Sequence, residues 1–134
     1  MLTFTDTYPT NHKAVLAACR RRGWKLIDAQ IAVRDKKGST VMDFLATEGE
    51  GRTIVLELKT RMCRKDTHDT EYRKVDPKKK RTHTGYRNSM YWRHQKQVIE
   101  TRRMYAAMTK KTKVYSAVIV SLRDGVAVYV TPKV

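Results

Sequence analysis

Apolar residues recur along this chain with two different periods, and the switches between them mark its elements. In HKAVLAACRRRG, Ala14, Val15, Ala18 and Cys19 fall on one helical face. Asn11 can cap this helix, Arg20, Arg21 and Arg22 load the end where its dipole favours cations, and Gly23 supplies a stop. Residues 24–33 (WKLIDAQIAV) then read as a strand, followed by the turn RDKKGS with its bend at Gly38. Two further strand runs, TVMDFLAT and RTIVLELK, are joined by the turn-rich EGEG. Three consecutive strands with short connections predict an antiparallel meander.

The pattern breaks at Arg61. Residues 61–88 show no helical or strand period and carry ten basic residues against four acids, which predicts a long basic loop, either functional or disordered. A helix returns over residues 89–109, where Met90, Tyr91, His94, Val98, Thr101, Met104, Tyr105 and Met108 recur at helical spacing. VYSAVIVSL is a nearly continuous apolar run, as expected of a strand covered on both faces. A turn at Arg123-Asp124-Gly125 leads to a last strand, VAVYVTP. The order predicts an α/β (mixed α+β) domain spanning residues 1–134, with a central mixed five-stranded sheet flanked by helices.

Composition narrows the partners. The chain has 134 residues, enough for one domain with a modest core. Its 29 Lys and Arg against 13 acids give a net charge of +16. Such a surface attracts phosphate polymers and releases their counterions, which points to nucleic acid. No apolar run approaches the roughly 20 residues of a membrane span, and MLTFTDTYPTNHK lacks the basic and apolar regions of a secretory signal. Two cysteines, Cys19 and Cys63, make no disulfide framework. An intracellular setting is therefore expected: the cytoplasm of a bacterial host, or the nucleus for a eukaryotic or viral protein.

The candidate chemistry lies in the two middle strands. Asp43 sits among Val41, Met42, Phe44 and Leu45, and Glu57 among Ile54, Val55, Leu56 and Leu58. Carboxylates embedded in apolar strands are costly unless they are paired or bind a metal. The connecting turn can set Asp43 across from Glu57, and strand alternation puts Glu57 and Lys59 on one face. Leu58 points its side chain the other way, yet its backbone carbonyl remains an available oxygen ligand. Hard oxygen donors suit Mg²⁺, and a nearby ammonium can orient water or stabilise a charged phosphoryl group. Taken alone, Glu-x-Lys is a common pair of exposed charges on a half-solvated sheet; the acid on the preceding strand and the basic chain raise its meaning.

Asp43 followed by Glu57-Leu58-Lys59, after a helix and a strand, resembles the PD-(D/E)xK nuclease superfamily, with Met42 at the variable first position. The resemblance covers nearly the whole chain. It implies a restriction-endonuclease-like core and Mg²⁺-dependent hydrolysis of DNA phosphodiesters, with Mn²⁺ able to substitute. It also implies Asp43, Glu57 and the Leu58 carbonyl as metal ligands and Lys59 beside the attacking water. The segment Tyr91-Trp92-Arg93-His94-Gln95-Lys96-Gln97 resembles the phage lambda exonuclease and viral recombinase subgroup, in which a glutamine of this helix reaches the active site; Gln95 or Gln97 would take that role. This chain is much shorter and corresponds to a minimal core. The subgroup implies a trimer, and DNA with a single-strand-annealing or replication protein as partners; a small resolvase of the same superfamily would be a dimer.

Supporting residues follow from position. Arg61, Arg64 and Lys65 lie nearest the catalytic strand and are the first candidates for phosphate contacts. Lys78, Lys79, Lys80 and Arg81 form an electrostatic patch, to which Arg87 and Arg93 add. Tyr72, Tyr86, Tyr91 and Trp92 can stack on unpaired bases, although Tyr91 and Trp92 also fit ordinary helix packing. Asp28 or Gln30 can stand in for an acid that the first helix lacks; otherwise they are plain strand residues. His68, His83 and His94 with Cys63 do not have zinc-ligand spacing. Two other functions compete with an exonuclease: a junction-cutting resolvase of the same superfamily, and a nucleic-acid-binding protein whose acids are structural.

Overall fold

The structure is a computed structural model that describes residues 11–61, 64 and 90–131. Its elements are α1 (Asn11–Arg22), β1 (Lys25–Asp35), β2 (Gly38–Glu48), β3 (Arg52–Thr60), α2 (Met90–Thr109), β4 (Val114–Leu122) and β5 (Gly125–Val130). The strands form one mixed sheet in the order β1-β2-β3-β4-β5, with β3 and β4 parallel and the other neighbours antiparallel. The chain is therefore of the α/β class, with the expected meander over its first three strands. Among the described residues, no helix is long and apolar enough to cross a membrane.

Local chemistry sets the joints. At the end of α1 the Gly23 amide donates to the Arg20 carbonyl and the Trp24 amide to the Cys19 carbonyl, with Gly23 at φ 71°. This paired closure needs a left-handed residue, and glycine adopts it without a Cβ clash. The β1–β2 turn is tighter than residues 34–39 suggested. Asp35 Oδ1 accepts the amides of Lys37 and Gly38 at 2.8 and 3.1 Å, which lets Arg34 pair with Ser39 and Asp35 with Gly38.

The two helices cover opposite faces of the sheet. On one, Val15, Ala18 and Cys19 of α1 pack in a cluster with Phe44, Leu56 and Ile119. On the other, Val98, Met104 and Tyr105 of α2 share a cluster with Val55, Val118 and Val120. β4 is thus buried on both sides, as its unbroken apolar run required. Burial pushes the Cys19 thiol up to about 11, so it serves as core and not as a nucleophile.

The inward face of α2 differs from the apolar stripe expected of it. Met108 is exposed, whereas Gln95 and Arg102 are buried beside Val98, Thr101 and Tyr105, which the stripe did place inward. Polar partners offset the burial of these groups. Thr101 Oγ1 donates to the Gln97 carbonyl at 3.0 Å, and Arg102 Nη1 to Thr131 Oγ1 at 3.4 Å. Thr131 in turn bonds Ser116 on β4.

β1 is irregular along its length. Its register with β2 shifts between Leu26 and Asp28, and Gln30 has φ 54°. The pairs Ala29–Phe44 and Ile31–Met42 bracket Gln30 opposite Asp43. Asp28 is exposed, and its Oδ1 accepts the neighbouring Ala29 amide at 2.8 Å, which is an ordinary local turn contact.

Candidate active site

The β2–β3 ladder runs from Glu48–Arg52 to Phe44–Leu56 and stops there. Beyond that point β2 continues with β1 alone, and β3 continues with β4 through Thr60–Ser121. A notch opens between the two strands, and the candidate residues line it. The Leu58 amide, freed from the ladder, donates to Asp43 Oδ2 at 2.9 Å. A side-chain carboxylate thus takes the place of the missing strand partner.

The direction of the Leu58 carbonyl follows from the ladder on the other edge. The amides of Thr53 and Arg61 donate to the carbonyls of Lys113 and Ser121, so odd-numbered residues of β3 face β4. Even-numbered residues then face β2, because the N–H and C=O of one strand residue share an edge. The Leu58 carbonyl consequently points into the notch beside Asp43.

Glu57 is 7% exposed and lies on the α2 side of the sheet, as its neighbour Val55 does. Lys59 Nζ is 3.2 Å from Glu57 Oε1 and donates to Gln97 Oε1 of α2 at 2.9 Å. Burial first, and then the charge of Asp43, raise the Glu57 pKa; Lys59 pulls against them without reversing the shift. Among the described residues Glu57 Oε2 and Asp43 Oδ1 have no hydrogen-bond partner. Two carboxylates that repel each other across a notch, each with an oxygen left over, form an electrostatically incomplete group.

No protein-family model matches the chain, and no curated protein matches it in sequence.

The donor set suits a small hard cation. Two carboxylates and a backbone carbonyl are the oxygen ligands that Mg²⁺ takes, its remaining positions being filled by water and phosphate. Among the described residues no cluster of three or more His, Cys, Asp or Glu side chains is present, so a cation here would rest on two carboxylates and a backbone carbonyl.

The remaining candidates are distributed as follows. Gln97 is the glutamine that meets Lys59, while Gln95 is 6% exposed on the inward face of α2. Arg61 is half-buried at the end of β3, and Arg64 is exposed with its Nε 4.0 Å from Asp124. Arg93 is exposed on α2. Lys65, Lys78, Lys79, Lys80, Arg81 and Arg87 lie outside the described residues, as do Cys63, His68, Tyr72, His83, Tyr86 and the side chains of Tyr91 and Trp92.

Asp43→Asn tests the coupling of the two acids directly. The amide oxygen still accepts the Leu58 amide, but the charge is gone. The Glu57 carboxyl should then titrate lower, as followed by carbon-13 NMR of its side chain. An unchanged titration would show that the two groups do not sense each other.

Proposed function

We propose that the protein is a metal-dependent nuclease that hydrolyses DNA phosphodiester bonds with a restriction-endonuclease-like core, acting as an exonuclease of recombination, replication or repair. The observation that carries this is the notch itself: Asp43, Glu57 and the Leu58 carbonyl converge where the β2–β3 ladder ends, with Lys59 on the same side as Glu57. Each acid has one donor, the Leu58 amide for Asp43 and Lys59 for Glu57, and among the described residues each keeps a second oxygen to spare.

Asp43, Glu57 and Leu58 would hold Mg²⁺ or Mn²⁺, which lowers the pKa of a bound water and offsets charge on the phosphoryl oxygens. Lys59 supplies the ammonium that orients the attacking water or meets charge developing on the phosphate. Gln97 accepts from Lys59 and fixes its direction from across the helix–sheet boundary. The net charge of +16, to which Arg61, Arg64 and Arg93 contribute, draws in the DNA backbone.

The direct test is cleavage of linear, nicked, closed circular and four-way-junction DNA with Mg²⁺, with Mn²⁺ and with EDTA. Linear duplex should be shortened from an end in either metal and left intact in EDTA. Cutting confined to junctions would assign a resolvase instead, and no cutting in any metal would remove the enzymatic reading.

A further inference from the structure

The α1 side of the sheet carries a second concavity. It opens at the far end of β3 from the notch and encloses about 270 Å³. Ile54, on its wall, faces α1, whereas Glu57 faces α2 about 10 Å further along the strand. The two sites therefore lie on opposite faces of the sheet.

Aromatic and charged groups share its lining. Tyr115 is half-buried, and Trp24, a member of the α1-side core cluster, is 8% exposed, so a small part of its ring lines the cavity. The Trp24 indole N–H donates to Glu48 Oε2 at 2.8 Å, which fixes the ring, and Arg52 Nη1 lies 3.3 Å from Glu48 Oε1. Both oxygens of the one acid in the lining are thereby engaged and its charge is offset. Arg22 is exposed, with its guanidinium 5.7 Å from the centre of the Trp24 ring. Among the described residues Arg22 makes no ion pair, and Arg20 and Arg21 add charge beside it in the last turn of α1.

A ligand matched to this lining has a flat ring for Trp24 and Tyr115 and an anionic group for Arg22. The volume lies near the small end of ligand pockets, which span roughly 300–1,000 Å³, and admits one such unit but not a duplex. We infer that the cavity formed by Arg22, Trp24, Glu48, Arg52 and Tyr115 binds a single nucleoside monophosphate unit, its base against Tyr115 and the exposed part of Trp24 and its phosphate at Arg22. The unit comes either from a free nucleotide or from an unpaired residue of a nucleic-acid strand. This site stands independently of cleavage at the notch.

Trp24 is its own reporter. In a Trp92→Phe background it is the only tryptophan, so its fluorescence can be titrated in EDTA and about 0.15 M salt with dAMP, dTMP, a short oligothymidylate and inorganic phosphate. The nucleotides should quench it saturably, and inorganic phosphate should not. Arg22→Ala should weaken the effect at least tenfold, and Glu57→Gln should leave it unchanged. Tighter binding of the oligonucleotide than of the mononucleotides identifies a strand as the source; equal or weaker binding identifies free nucleotide. No saturable quenching by any nucleotide, an equal response in Arg22→Ala, or loss of the response in Glu57→Gln would overturn the inference. Calorimetric titration of the parent chain with the same compounds gives the same decision where Trp92→Phe does not fold.

Discussion

In EDTA at neutral pH, Glu57→Gln should melt above the parent chain, and in Mg²⁺ it should cut DNA at least about 10³-fold more slowly. Both effects have one cause. The folded protein holds a proton on Glu57 more tightly than the unfolded chain does, because burial and Asp43 disfavour the charge. Its contribution to stability is therefore fully present below the ordinary glutamate range. It is lost as pH rises through the raised folded value, and above that value the ionised carboxylate weighs against folding. Glutamine removes that burden, so the gain should appear at neutral pH and vanish in acid. The metal provides the complementary result: Mg²⁺ or Mn²⁺ should raise the melting temperature of the parent and not of the variant. A variant that melts lower in EDTA at pH 8 would show that Glu57 is a structural anchor of Lys59.

Lys59→Met separates chemistry from metal binding. Cleavage should fall about 10²–10⁴-fold, the range for losing a positioned proton-transfer or charge-stabilising group. Mn²⁺ binding, followed by electron paramagnetic resonance, should persist, since Asp43, Glu57 and the Leu58 carbonyl remain. Its pH dependence should move upward. Glu57 loses the ammonium 3.2 Å away, so its already raised pKa climbs further and a higher pH is needed to free it for the cation. Wild-type cleavage by Lys59→Met would take Lys59 out of the reaction.

What could be read in advance follows from how each feature is encoded. Asp43 and Glu57 stood out because a charge in an apolar strand violates alternation, and violations are visible in a linear string. β4 was legible to the residue for the opposite reason, since an uninterrupted apolar run admits few readings. The choice between Gln95 and Gln97 depends on which side chain crosses to the sheet, and Gln97 is the one that meets Lys59. An arginine on an inward face looks like a surface residue until Thr131 arrives from beyond β5. The irregularity at Gln30 left no trace, because glutamine carries no preference for positive φ. The cavity behind the sheet was also overlooked. Its one sequence signal was Trp24 directly after the helix stop, with Glu48 and Arg52 spanning the EGEG turn.

The parallel seam between β3 and β4 has a consequence for the order of assembly. Thr53 and Val114 pair across roughly sixty intervening positions, whereas β1, β2 and β3 pair through short turns. The meander can therefore zip locally while the outer edge of β3 waits for a distant partner. During that interval the backbone of Thr53–Thr60 is an open template for a neighbouring chain. Gln97 precedes β4 in the same long excursion, so Lys59 acquires its helix contact only when the excursion returns. A nascent chain that stalls there would hold both acids and no competent site, and its characteristic failure would be aggregation through one strand edge.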